Sequence, residues 1–242
     1  MKQPAIAARH LTKSFGEKEA IHDCSLSVEQ GSLYGVLGRN GAGKTTLFKL
    51  LLGLQHPTAG TASVMGLDSV QDCGAILRRT GSLIETPVFY EHLSAIENLR
   101  LHLAYMEKEG DPLPVLEQVG LGDVGCQPVS EFSLGMRQRL GIARALVHQP
   151  EVLMLDEPIN GLDPVGIREL RVLFLHLAKE KGITILFSSH ILSEVEQLAD
   201  HVGIMAEGKM IQEAGMEDLR RRHPTGMESY LLSVMGGDEP DV

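Results

Sequence analysis

The chain has 242 residues, 43% of them hydrophobic and 22% charged, with a formal net charge of −10. That is enough apolar material for one large domain with a real interior, and the composition is not that of a disordered or repeat protein. The acidic balance excludes a general nucleic-acid binder, which draws its affinity from basic patches on phosphate.

Alternation over residues 5–29 predicts strands with a turn around Gly16-Glu17-Lys18. Leu33–Leu37 is a short apolar run that stops at Gly38, as a buried strand should, and the spacing from Thr45 to Leu54 is helical. Residues 86–132 differ in character: a helical stretch around Asn98–Leu103, a break at Gly110–Pro114 and a second short helix near Leu116 read as a helical insertion. Val152–Leu155 and Ile183–Phe187 are further buried-strand runs, with a helix from about Val165 to Lys181 between them. Strand, helix and strand with continuous apolar strands predict a parallel sheet covered on both faces. A hairpin around Glu207-Gly208 and a charged helix from Met216 follow. The expected architecture is α/β: a mostly parallel sheet core, N-terminal antiparallel strands and a helical subdomain at about 86–134. It forms one domain over 1–235, with a flexible acidic tail over 236–242. Cys24, Cys73 and Cys126 have neither CxxC nor zinc spacing, and no run approaches the 18 apolar residues of a membrane span.

Three segments carry chemistry. Gly38-Arg39-Asn40-Gly41-Ala42-Gly43-Lys44-Thr45 matches GxxxxGK[ST], after a strand and before a helix. Its glycines let backbone N–H groups turn inward around phosphates, Lys44 reaches the β- and γ-phosphates, and Thr45 offers a hydroxyl to Mg²⁺, with Thr46 in the same binding turn. Val152–Leu155 delivers Asp156 and Glu157 at a strand's C-terminal end, where parallel sheets place their ligands. Asp156 is expected to hold Mg²⁺ and Glu157 to orient the attacking water. Phe132–Arg139 opens a helix to about His148, in which Ser133 is either a plain cap or the start of a second phosphate-directed N-terminus.

These segments, with Asn160-Gly161-Leu162-Asp163 and Ser188-Ser189-His190, occur in the order found in ABC transporter nucleotide-binding domains, which the chain resembles over roughly residues 3–235. The resemblance implies a P-loop NTPase fold of ABC type and ATP held between two subunits, in a homodimer or pseudo-symmetric dimer. Each nucleotide would lie between Lys44 and Thr45 of one chain and Ser133 and Gly135 of the other. Asp163 would communicate across the interface and His190 would contact the γ-phosphate. Phe15 either stacks on adenine or is plain core. Two departures stand out: Phe-Ser-Leu-Gly-Met at residues 132–136 in place of Leu-Ser-Gly-Gly-Gln, and Glu85 where a glutamine is expected. With Asn160–Pro164 and Met227–Leu231, they resemble bacitracin-resistance and lantibiotic-immunity exporters.

That resemblance implies an ATPase powering export of a lantibiotic, bacitracin-like peptide or similar amphiphile through separate membrane-spanning permease subunits. The chain itself would be cytoplasmic, on the inner face of the membrane. Export of a drug or lipid is the alternative. A soluble ABC ATPase of DNA repair or translation lacks support, because the sequence carries no long coiled-coil insertion, zinc module or second cassette. Glu85 is expected near Mg²⁺, as a ligand or as a coupling residue. Phe89 and Tyr90 either pack within the insertion or line a groove for a permease helix.

Overall fold

The computed structural model describes residues 4–223 and 227–236, so the expected tail lies, beyond Gly236, outside the described residues. The chain opens with β1 (Ile6–Phe15) and β2 (Lys18–Val28), paired antiparallel across the turn at Gly16, as the alternation predicts. Then come β3 (Leu33–Leu37), α1 (Lys44–Leu51), β4 (Ala59–Val64), β5 (Leu67–Asp68), α2 (Cys73–Arg79) and β6 (Thr80–Leu83). The insertion supplies α3 (Ala95–Tyr105) and α4 (Leu113–Gln118). The remaining elements are α5 (Leu134–Leu146), β7 (Val152–Leu155), α6 (Pro164–Lys179), β8 (Thr184–Ser189), α7 (Leu192–Leu198), β9 (His201–Ala206), β10 (Lys209–Gly215), α8 (Met216–Arg222) and α9 (Met227–Gly236).

Two sheets form. The smaller is antiparallel in the order β2-β1-β4-β5; the larger runs β10-β9-β3-β8-β7-β6 and is parallel except for the hairpin β9-β10. Side chains of the central strands alternate between two cores, as period-two geometry requires. Tyr34, Val36, Val152, Met154 and Leu186 point into the core that holds Leu47, Phe48 and Leu51 of α1 and the inner face of the small sheet. Leu33, Leu37, Leu153, Leu155, Ile185 and Phe187 point into the other, shared with α5, α6 and the insertion. Each fully buried Leu or Phe there contributes about 1.5–3 kcal/mol. The helix at Lys44 is thus clamped between the sheets, which fixes the turn before it.

In the insertion, Ser94 caps α3 with a reciprocal Ser94–Glu97 capping box. The buried Asn98 accepts from Tyr90 N–H at 2.9 Å and donates to the carbonyls of Tyr90 (3.1 Å) and Ser94 (3.0 Å). This pins the preceding loop and decides its side chains. Phe89 turns inward, 8% exposed, with the Arg144 guanidinium 4.9 Å from its ring. Of the two alternatives for Phe89, packing in the core holds and the groove does not. Tyr90 (49% exposed), Val88 (79%) and Tyr105 (72%) do face outward. The strands β4 and β5 and the helices α2 and α7 were not anticipated. They are short, and Ala59–Val64 shows no clear alternation because Ala59, Gly60 and Thr61 are all exposed.

Candidate nucleotide site

The turn between β3 and α1 is built by conformational necessity. Gly43 caps α1 in the left-handed region, φ 104°, and a Cβ there would sit 2.9 Å from the Ala20 carbonyl oxygen. At Gly38 a Cβ would run into the Met205 carbonyl oxygen, so the turn is seated against β9 by bare backbone. Lys44, 6% exposed, donates to the carbonyls of Gly38 (2.6 Å) and Arg39 (3.3 Å) and lies 3.1 Å from Glu157 Oε1.

Across the sheet, Asp156 is 7% exposed and accepts two hydroxyl hydrogen bonds of 2.6 Å, from Thr45 on Oδ2 and from the wholly buried Ser188 on Oδ1. Ser188 Oγ in turn accepts from the Glu157 N–H at 2.9 Å, so one side chain orders both carboxylate residues. Glu157 stands in the left-handed region, φ 49°, a conformation costing a non-glycine residue about 1 kcal/mol or more. Its Oε2 is 2.9 Å from His190 Nδ1, while Oε1 takes no well-directed hydrogen bond and faces Lys44. Ser189 Oγ donates to Glu194, whose carboxyl is pushed above the usual range by burial and then by the charge of Glu157.

A cleft of about 500 Å³ opens beside these groups, walled by residues 40–46, Asp156 and Glu157 on one side and by Lys18, Glu19, Ala20, His22, Glu207 and Gly208 on the other. Lys44, Thr45, Thr46, Asp156 and Glu157 thus converge as expected, and His190 joins them through Glu157. Phe15 ends β1 48% exposed with Lys13 Nζ 5.0 Å from its ring, so it is not core. Ser133 caps α5, accepting from Met136 N–H at 3.3 Å. Gly135 lies in the first turn of that helix, and Asp163 caps α6 by accepting from Gly166 N–H at 2.8 Å. Glu85 stands at φ 61°, 63% exposed, ion-paired with Lys49 of α1 at 2.6 Å. Lys49, five residues after Lys44, answers how that extra carboxylate is offset.

Sequence reasoning assigned no role to Ser188, Gln138, Glu194 or Lys49. Ser188 stood inside the quoted Ser188-Ser189-His190 segment, but nothing in the residue order ties it to Asp156. Gln138, 8% exposed, donates to the carbonyls of Glu157 (3.3 Å) and Pro158 (3.0 Å), a link between α5 and the loop after β7 that only the fold creates.

The sequence model of the ABC transporter family matches residues 21–160. The chain is 50% identical over 228 residues to the bacitracin transport ATP-binding protein BcrA of Bacillus licheniformis, covering 93% of this chain and 74% of that one. It is 45% identical over 210 residues to the lantibiotic transport ATP-binding protein SrtF of Streptococcus pyogenes, covering 86% and 90%. Among solved structures, an ATP-binding subunit of an ABC transporter superposes with a TM-score of 0.85 at 28% identity over 95% of this chain and 99% of that one. A bacterial ABC transporter cassette solved as a dimer gives 0.80 at 22%, covering 87% and 98%, a likeness of fold. Among the described residues no helix is long and apolar enough to cross a membrane. The chain belongs to the ABC transporter family, as one of its ATP-binding proteins.

Proposed function

We propose that this chain hydrolyses ATP as a dimer of cassettes on the cytoplasmic face of the membrane, beneath separate permease subunits. Its transporter exports a bacitracin-like or lantibiotic peptide, or a similar amphiphile. The observation that carries the chemistry is the convergence of Lys44, Thr45, Asp156 and Glu157 in one cleft. The relatives named for bacitracin and lantibiotic transport support the cargo class.

The order of events follows from the side chains. Lys44 is held by two backbone carbonyls and by Glu157, so a phosphate entering the turn takes over Lys44 and releases Glu157 Oε1 toward water. Inward N–H groups and the N-terminus of α1 hold the remaining phosphate charge. Thr45 Oγ1 and Asp156 Oδ2, both oxygens and 2.6 Å apart, fit a hard divalent cation; they would hold Mg²⁺, which would supply charge neutralisation for phosphoryl transfer. Glu157 orients the water and His190 steadies its carboxylate. Phe15, exposed at the end of β1 and paired in register with Lys18 of the cleft wall, stacks on the base.

Glu85 couples nucleotide state to the permease. It is tied to the phosphate-binding helix through Lys49, and its loop leads within five residues to the outward Tyr90. Val88, Tyr90 and Tyr105 form the surface for a cytoplasmic helix of the permease, with the Tyr90 and Tyr105 hydroxyls 3.4 Å apart. Purified Glu157→Gln is expected to bind MgATP and accumulate as a dimer while losing about 100-fold or more of its turnover. Lys44→Ala is expected to fail earlier, with nucleotide affinity reduced by about 10- to 100-fold, as the loss of a charge-assisted hydrogen bond implies. Undiminished steady-state hydrolysis in Glu157→Gln would remove Glu157 from this role.

A further inference from the structure

The segment Phe132–Met136 and the loop Asn160–Asp163 meet in space, although residues 137–159, running through helix, strand and turn, separate them. Leu134 is 62% exposed, yet its branch lies against Gly161. A Cβ built at Gly161 would be 2.8 Å from Leu134 Cδ2 and 3.0 Å from Cγ, and Gly161 itself stands at φ 81°. A side chain at 161 therefore requires the Leu134 branch to swing aside. On the neighbouring turn, a Cβ at Gly135 would lie 3.3 Å from the Gly161 carbonyl oxygen, so backbone approaches backbone there too.

Two further contacts close the same seam. Gln138 donates to the carbonyls of Glu157 and Pro158. Arg139 donates to Glu169 of α6 at 2.8 Å and to the Val119 carbonyl at 2.8 Å, and its guanidinium fills the space a Cβ at Gly166 would need. The start of α5 is thus fastened to the whole stretch from Glu157 to the start of α6.

We propose that Leu134 and Gly161 are a matched positioning pair, which fixes the phosphate-directed N-terminus of α5 to the loop joining Glu157 to Asp163 so that both move as one unit. The pair touches no nucleotide of its own chain. It acts through Gln138 and the Glu157 backbone, so a pull on Ser133 or Gly135 is delivered to Glu157. The link to a second nucleotide rests on the two-subunit reading given above; the pairing itself does not.

The amides of Asn160 and Leu162 close short turns onto the carbonyls of Glu157 and Ile159, each at 3.2 Å, and they report on the loop directly. In the isolated chain without nucleotide, Leu134→Ala is expected to speed hydrogen exchange in residues 157–163 several-fold and to leave the strands β3 and β8 unchanged. A methyl at 161 carries backbone strain whatever stands at 134, so the pair is isolated by a cycle. Gly161→Ala is expected to weaken MgATP-driven dimerisation of the Glu157→Gln chain about five- to tenfold more in the Leu134 background than in Leu134→Ala. Unaltered exchange in residues 157–163, or equal costs of Gly161→Ala in both backgrounds, overturns the pairing. Exchange that responds as expected in a chain that never dimerises with MgATP upholds the pairing and counts against the two-subunit reading instead.

Discussion

The turn at residues 38–46 and the turn at Ser133–Gly135 both end at a helix N-terminus, but their surroundings differ. The first is enclosed by its own chain: Lys44 is 6% exposed, Asp156 7%, and backbone from β2 and β9 presses on its glycines. The second is open, with Leu134 62% exposed beside it and no acidic residue in its first turn. A helix of 13 residues with positive end-charge, whose cap Ser133 takes up only the Met136 N–H and whose first turn holds no acidic residue, is suited to an anion. In the proposed dimer, the first turn is one half of a nucleotide site and the second completes the site of the other subunit. A head-to-tail pair of identical chains satisfies both at once.

The sharpest way to break that contrast is at Ser133. Ser133→Arg places a cation and a long side chain at the open N-terminus; nucleotide binding by the isolated chain is expected to stay within about twofold, because the enclosed turn is untouched, while steady-state hydrolysis falls about 100-fold. Fluorescent-nucleotide titration beside a phosphate-release assay separates the two. Next in size is the permease surface: Tyr90→Asp is expected to abolish co-purification with the permease and cellular resistance while leaving hydrolysis by the isolated chain intact. Normal co-purification would place the contact elsewhere. Glu85→Ala should keep most of the hydrolysis and lose most of the resistance, with Glu85→Gln between it and the parent at equal expression. Loss of both in step would make Glu85 part of the catalytic set.

The smallest effect lies away from both turns. His102 of the insertion and His148, just after α5, meet edge to face, with ring centroids 5.4 Å apart. Burial, then the neighbouring His148 and Arg144 charges, pushes His102 down to about 4, and burial lowers His148 as well. Both are therefore neutral in the fold, whereas an unfolded histidine takes up its proton near 6.5. The stability they contribute is complete above about pH 6.5 and is lost as pH falls toward about 4. Urea midpoints at pH 8 and pH 5 should differ more in the parent than in His102→Phe; equal differences would show that this pair does not set the acid sensitivity.

The legibility of the chain follows the same division. Strands β3, β7 and β8 were readable because all their residues are buried and each carries an apolar run, at Leu33–Leu37, Val152–Leu155 and Ile185–Phe187. The enclosed turn was readable because phosphate contact by backbone demands glycine at fixed spacing, which leaves a signature in the residue order. The short strands β4 and β5 were not, since two to six residues, half or more of them at least partly exposed, have no strong pattern. Nor was the inward Phe89: Val88, Phe89 and Tyr90 are all large and apolar or aromatic, and Asn98, eight residues later, decides which of them is buried. Ser188 joins Asp156, 32 positions away, and Gln138 joins the backbone of Glu157 and Pro158, 19 and 20 positions away, and such pairings exist only once the sheet is assembled.

The central claim, that the enclosed turn of one chain works with the open turn of another, is tested most directly by mixing two inactive chains. Lys44→Ala lacks a working enclosed turn in both of its sites, and Ser133→Arg lacks a working open turn in both of its own. In a mixed dimer, one site carries both defects and the other carries neither. Random mixing of equal amounts makes half the dimers mixed, so hydrolysis is expected to recover to roughly a quarter of the parent rate if the two sites fire independently. A mixture as inactive as its components, although mixed dimers are detected, would contradict the shared site and return both turns to a single chain.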